Sequence, residues 1–203
     1  GFFIGGSSYS MISGEKTENS MGIMQDYWTL KLDATGNIQW QNTIGGLDWD
    51  ALHSITKKND GGCFLGGHSY SGISGDKVDS SKGLNDYWIV ELDDSGNIEW
   101  QRTIGGDSYD MLFSINQTAD GGYILGGESA SDISGDKSDE GKGQLDYWIL
   151  KLDSVGSIVW QKTIGGKFDD RESRVEQTAD GGYIIGGISE SNASGSKTEP
   201  SLG

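Results

Sequence analysis

Short runs of alternating apolar and polar residues recur along this chain, and the same runs return every 60 residues. The clearest run starts at Asp86, where Trp88 and Val90 occupy alternate apolar positions. Side chains of a β-strand point to opposite faces in turn, so this pattern predicts a strand with one wholly apolar face. Equivalent runs start at Asp26 and Asp146.

Each 60-residue unit predicts four short strands and no helix. In the second complete unit they are expected at 87–92, 98–104, 111–118 and 123–125. A turn rich in Asp, Ser, Gly and Asn joins the first two strands, and an Asp-Gly turn at 119–122 joins the last two. Asp-Gly turns are typical of β-hairpins, and the equivalent turns are at 59–62 and 179–182.

Four closely linked antiparallel strands per repeat, with Trp on two of them, are what one β-propeller blade requires. A β-helix and a β-sandwich fit the pattern less well. The predicted fold class is therefore all-β, a β-propeller-type array of four-stranded antiparallel blades, with about three blades plus partial ones. In this arrangement the third strand of a unit is innermost, followed by the fourth, the first and the second.

The chain is expected to form a single repeat array, because no Pro-rich linker or composition shift interrupts it. Its units are 1–25 (partial), 26–85, 86–145 and 146–203. The expected strands number thirteen, fewer than a four-bladed ring requires. Because the chain also opens inside a repeat with no signal peptide, we expect a fragment of a larger propeller.

Several motifs resemble those of known propeller families. The run Tyr123–Gly127, the Asp-Tyr-Trp at 146–148 and Trp160 together resemble the kelch blade. The segment Thr35–Trp40 is similar to an element of quinoprotein-like blades. As a whole, the chain resembles 60-residue repeats of large surface proteins that bacteria export by the type IX secretion route. This resemblance implies an extracellular or cell-surface location and no shared chemistry.

Charge and composition narrow the classes of partner. The formal net charge of −16 repels phosphate backbones, so nucleic acid is not expected as a partner. No apolar run is long enough for membrane insertion. Cys63 is the only cysteine, which excludes an intrachain disulfide and a cysteine-based metal site. His53 alternates with apolar neighbours and is expected to be a packed strand residue rather than a base.

Candidate binding residues come from the long loops and the Gly-Gly connections, which share one face in a propeller. Aromatic rings there stack on a sugar, while carboxylates bind its hydroxyl groups. The candidates are Trp49, Asp76, Asp107, Tyr109, Asp136, Asp139 and Phe168. A competing interpretation carries more weight for the acids, because Asp50, Asp110 and Asp170 recur in one slot. Recurring loop acids usually bind loop backbone.

The innermost strand of the last unit has charged residues where its predecessor is apolar. Arg171 and Arg174 are the candidate partner-binding residues there. These charges either line a channel or meet a partner domain, or they pair with one another at an exposed edge. The second interpretation is slightly favoured.

No cofactor is expected, although the loop 136–140 gives a weak calcium signal. A calcium loop needs several oxygen ligands at alternating positions. In this loop Lys137 lies among the acids, and no Asp-x-Asp-x-Asp run occurs.

The predicted function is that of a non-enzymatic, secreted or cell-surface propeller segment for adhesion, glycan binding or protein docking. The alternative is part of a propeller-type polysaccharide hydrolase or lyase. Expected partners are the remainder of the same polypeptide or another protein that completes the propeller, and a surface glycan.

Overall fold

The computed structural model describes residues 1–58 and 61–201, and within these residues the chain is all-β without a helix. Nothing in the described residues is a helix of membrane-spanning length and hydropathy. Two residues of the turn expected at 59–62, and the last two of the unit 146–203, lie outside the described residues. The strands are β1 Phe2–Ser8, β2 Asp26–Leu32, β3 Ile38–Ile44, β4 Asp50–Lys57, β5 Cys63–Ser69, β6 Asp86–Leu92, β7 Ile98–Ile104, β8 Asp110–Gln117, β9 Tyr123–Ser129, β10 Asp146–Leu152, β11 Ile158–Ile164, β12 Asp170–Gln177 and β13 Tyr183–Ser189.

These strands form four sheets with the predicted order. Two sheets have four strands, β4-β5-β6-β7 and β8-β9-β10-β11, one has the order β1-β2-β3, and one consists of β12 and β13. Each four-stranded sheet combines the last two strands of one repeat with the first two of the next. This confirms the prediction of propeller-type, four-stranded antiparallel blades.

The chain divides into two compact units. The first contains residues 1–81 and 87–103, and therefore β1 to β5 with most of β6 and β7. The second contains residues 82–86 and 104–203, and therefore β8 to β13.

In the first unit, the Asp-Tyr-Trp strand fills the core as its alternation predicts. Trp88, Val90 and Leu92 are completely buried. The ring of Tyr27 lies against that of Trp88, with 4.9 Å between centroids, and its hydroxyl donates to the Trp88 carbonyl at 3.1 Å. Through these contacts the sheet β1–β3 packs on the sheet that contains β4 and β5.

In the second unit, the sheet β8–β11 packs on the pair β12–β13. Ile124, Ile149 and Val175 form the buried centre of this contact. The side-chain amide of Asn116 donates to the Val175 carbonyl at 2.9 Å, which adds a polar link from β8 to β12.

Two local features differ from the expectation. Strand β9 does not end at Leu125 but runs through the Gly-Gly pair to Ser129, because it pairs with β10 over its whole length. The pairing of β4 with β5 skips a residue between Leu52 and Ser54. His53 lies at this β-bulge and is exposed, although its ring stacks on that of His68 with 5.0 Å between centroids. Its Nε2 lies 3.2 Å from Nδ1 of His68.

Candidate functional site

The recurring aspartates of the Gly-Gly connections bind loop backbone, as predicted. Oδ2 of Asp110 accepts hydrogen bonds from the Gly106 amide at 2.7 Å and from the Ser131 hydroxyl at 3.0 Å. Asp50 and Asp170 make the same two contacts in their repeats. Burial raises the pKa of Asp50 and Asp110. These acids hold the connection in place and are not available to a ligand.

The first aspartate of each Asp-Tyr-Trp run closes the long loop that precedes it. Oδ2 of Asp146 accepts from the Lys142 amide at 2.6 Å, and Asp26 accepts from the Met21 amide at the same distance. A Cβ on Gly45 would lie only 2.1 Å from Oδ1 of Asp26. The glycine therefore allows the buried carboxylate to approach the backbone.

The lysine of each long loop is a structural residue that the sequence analysis did not assign. Lys137 is almost completely buried, and its Nζ donates to the Asp139 carbonyl at 2.6 Å and to the Thr163 hydroxyl at 2.8 Å. Burial lowers its pKa. The ammonium group thus ties the long loop to strand β11.

Three of the predicted site acids are used by the loops themselves. Asp76 accepts from the Gly45 amide at 3.2 Å, and Asp139 from the Thr163 amide at 2.8 Å. Asp136 accepts from the Gly105 amide at 3.2 Å and pairs with Lys82. Within the described part of the chain, no group of three metal-ligating side chains is found. Asp136 and Asp139 of the loop 136–140 therefore bind other groups of the protein.

The two predicted arginines of β12 are exposed. Arg171 pairs with Asp169 and not with another charge of its own strand. Arg174 donates to the Phe113 carbonyl at 3.4 Å. The favoured interpretation, mutual pairing along β12, is therefore wrong for Arg171.

The remaining predicted residues are exposed at the connections. In the first unit, Trp49 is 40% exposed and stacks on Tyr70, with 5.8 Å between ring centroids. In the second unit, Asp107 and Phe168 are exposed, and their amides donate to loop serines.

Two predicted residues line cavities of the described chain, Asp76 in the first unit and Tyr109 in the second, and the aromatic residue is Tyr109. The Tyr109 cavity has a volume of about 310 Å³. Tyr109 is 41% exposed, so its ring is accessible from the solvent. The residues around the cavity are Tyr109, Met111, Ala130, Gln144, Leu145 and Asp169. The aromatic ring thus lies beside aliphatic side chains, an amide and a carboxylate.

Asp169 contributes a carboxylate oxygen, Oδ1, that has no hydrogen-bond partner among the residues that the structure describes. The residue as a whole is 9% exposed. The other oxygen, Oδ2, pairs with Arg171. The Asp169 carbonyl accepts from the Glu190 amide at 2.8 Å, and the next amide, of Asp170, donates to the Leu145 carbonyl at 2.8 Å. The cavity walls are therefore held by backbone bonds.

Asp169, Gln144 and Leu145 are cavity residues that were not predicted from the sequence. Asp169 occupies the slot that holds Trp49 and Tyr109 in the preceding repeats, so the alignment of repeats contained a signal for it. Gln144 and Leu145 are close to Tyr109 because β8 and β10 both pair with β9. Asp110 and Asp146 lie opposite Ser129 at the same end of this sheet. The position of Gln144 and Leu145 in a variable loop gave no signal.

Comparison of the sequence with models of protein families and with curated proteins finds no match. The resemblance to kelch-like and secreted repeats thus remains an expectation from sequence motifs.

Proposed function

We propose that this chain is a non-enzymatic binding module of a secreted or cell-surface protein, and that it binds a glycan in the Tyr109 cavity. The observation that carries the proposal is the accessible Tyr109 ring beside the unpartnered Oδ1 of Asp169. A sugar has an apolar C–H face that packs on an aromatic ring. Its hydroxyl groups donate to a carboxylate oxygen in charge-assisted hydrogen bonds.

The size of the cavity favours a short part of a glycan as the ligand. Its 310 Å³ is near the lower limit of ligand pockets, which is about 300 Å³. Met111 and Leu145 add apolar surface, and Gln144 adds an amide that both donates and accepts. A terminal sugar with one apolar face and a few hydroxyls matches these groups.

A binding role is favoured over the alternative of a polysaccharide hydrolase or lyase. Carboxylate-based glycosidases need two available carboxyl groups on opposite sides of the bond to be cleaved. Near the cavity, Asp110 and Asp170 are bonded to the Gly-Gly connections, and Asp169 shares its second oxygen with Arg171. Among the described residues that line the cavity, the buried Oδ1 of Asp169 is the carboxylate oxygen left without a partner, and a single acceptor suits recognition.

The test is binding and turnover of one glycan panel by the chain and its variants. Tyr109→Ala and Asp169→Asn are each expected to weaken the best ligand at least about tenfold, measured by calorimetry. The matched control is Phe168→Ala. It removes an exposed aromatic ring that is next to Asp169 in the chain but does not line the cavity. The affinity of this variant should be unchanged.

Two results would contradict the proposal. Turnover of any panel member would assign the chain to the enzymes. Binding that survives Tyr109→Ala and Asp169→Asn but fails in Phe168→Ala would move the site out of the cavity. Melting temperatures of the variants separate lost binding from lost folding.

A further inference from the structure

Strand β13 has the sequence of an interior strand but the exposure of an edge strand. It matches β9 at Tyr, Ile, Gly, Gly and Ser, five of seven positions. All seven residues of β9 are buried, whereas none of β13 is. β9 lies between β8 and β10, while β13 has only β12 beside it within the described chain. β9 is also covered by β12 of the next sheet, so within the described chain β13 lacks both a second strand neighbour and a covering sheet.

The structure shows what kind of strand covers such an edge. β10 pairs with β9 without a register shift, from Asp146 opposite Ser129 to Leu152 opposite Tyr123. The unpaired edge of β13 offers backbone amides and carbonyls in the same order. Such an edge is a template for strand addition, in which main-chain hydrogen bonds supply affinity and side-chain pockets supply specificity.

The first pocket is formed by Tyr147. In the first unit, the equivalent Tyr27 is completely buried against Trp88 and donates to its carbonyl. Tyr147 is only partly buried, and its hydroxyl donates to the carbonyl of Ile188 on β13 at 2.9 Å. Its ring lines a cavity of about 250 Å³ beside β13. An aromatic residue at the third position of an incoming strand would cover this ring.

The second pocket is charged. Lys197 and Asp170 line the same cavity and correspond to Lys137 and Asp110 of the preceding repeat. There, the carboxylates of Asp110 and Asp146 both stabilise the charged form of Lys137. Asp146 is the first residue of the strand that covers β9. In the described chain, the cavity beside β13 has Asp170 but no counterpart of the Asp146 carboxylate. The first residue of an incoming strand would supply it.

We propose that the free edge of β13 is a docking site for a β-hairpin of the repeat type whose first strand begins Asp-aromatic-Trp. The partner is a polypeptide that has such a hairpin available for pairing. A second copy of this chain is less suitable, because β2, β6 and β10 already have neighbours on both edges. To donate one of them, the copy would have to break its own sheet.

The experiment adds a synthetic peptide with the sequence of residues 146–164, which contain β10 and β11, to the full chain. Hydrogen exchange is expected to slow at the amides of Tyr183–Ser189 that do not bond to β12. Changing the peptide Trp148→Ala should weaken binding, measured by calorimetry, at least about tenfold.

A double-mutant cycle tests the charged pocket. Lys197→Ala in the protein should weaken the binding of the unchanged peptide. It should have little effect on the binding of the peptide with Asp146→Asn. If Lys197→Ala lowers the melting temperature too far, the two peptide variants alone decide the question. The proposal would be overturned if the peptide did not slow hydrogen exchange in β13. It would also be overturned if Trp148→Ala left the affinity of the peptide unchanged. If the protein self-associates without peptide, and this association slows hydrogen exchange in β13, the edge binds a second copy and the choice of partner is wrong.

Discussion

At the residue scale, the buried aspartates give the fold an unusual dependence on pH. Asp26 and Asp50 are both fully buried in the first unit, and the charge of Asp50 adds to the effect of burial on Asp26. Together they raise the pKa of Asp26 to about 6. A carboxyl group in this state binds its proton more tightly in the folded chain than in the unfolded chain.

The sign of the linkage follows from this shift. The stability contributed by protonated Asp26 is fully present below the ordinary aspartate pKa and is lost as the pH rises through about 6. Asp26→Asn keeps an oxygen for the Met21 amide and cannot ionise. It should raise the free energy of unfolding near neutral pH by roughly 1–3 kcal/mol, and the gain should vanish near about pH 4. Urea unfolding of both chains across this pH range measures it.

Asp33 provides a control with the opposite sign. This partly exposed turn residue accepts hydrogen bonds from Asn37 and Thr35, which lower its pKa. Its contribution is present above the ordinary aspartate pKa and is lost as the pH falls. Asp33→Asn should therefore destabilise at neutral pH. A gain there for both variants would show that general charge reduction, and not burial, is responsible.

At the scale of the strand, the Asp-Tyr-Trp run determines stability. Trp88 is fully buried beneath Tyr27. Trp88→Ala should lower the free energy of unfolding by about 3–5 kcal/mol. Trp160, on strand β11, is 37% exposed, so Trp160→Ala should cost clearly less. Denaturant unfolding compares them, and equal costs would contradict the assignment of Trp88 to the core.

Sequence alternation predicted these strands and their buried face because the two-residue period is a local property of the backbone. The order of the strands could also be predicted, since the residues of each hairpin turn are adjacent in sequence to the strands that they join. The bulge that exposes His53 and the extension of β9 to Ser129 could not be predicted in this way, because both depend on the partner strand. Of the site, Tyr109 was anticipated. The unpaired Oδ1 of Asp169 depends on packing between sheets.

At the scale of the whole molecule, the net charge of −16 opposes folding by self-repulsion. Ion pairs such as Lys162 with Asp139 act in the other direction, but pairs near the surface contribute little each. Salt between about 0.01 and 0.5 M shortens the screening length severalfold. The melting temperature should therefore rise with salt over this range. Scanning calorimetry tests this, and a fall would mean that ion pairs outweigh the repulsion.

The connection between each Gly-Gly pair and its buried aspartate has a further consequence. Its two ends are fixed by the same contacts in every repeat, as between Gly106 and Asp110, whereas its three middle residues differ at 47–49, 107–109 and 167–169. Substitutions in these triplets leave the contacts that close the connection intact. After duplication, each copy is thus free to diverge independently. Exchanging one triplet for another would then change the ligand specificity of the proposed binding site in a single repeat.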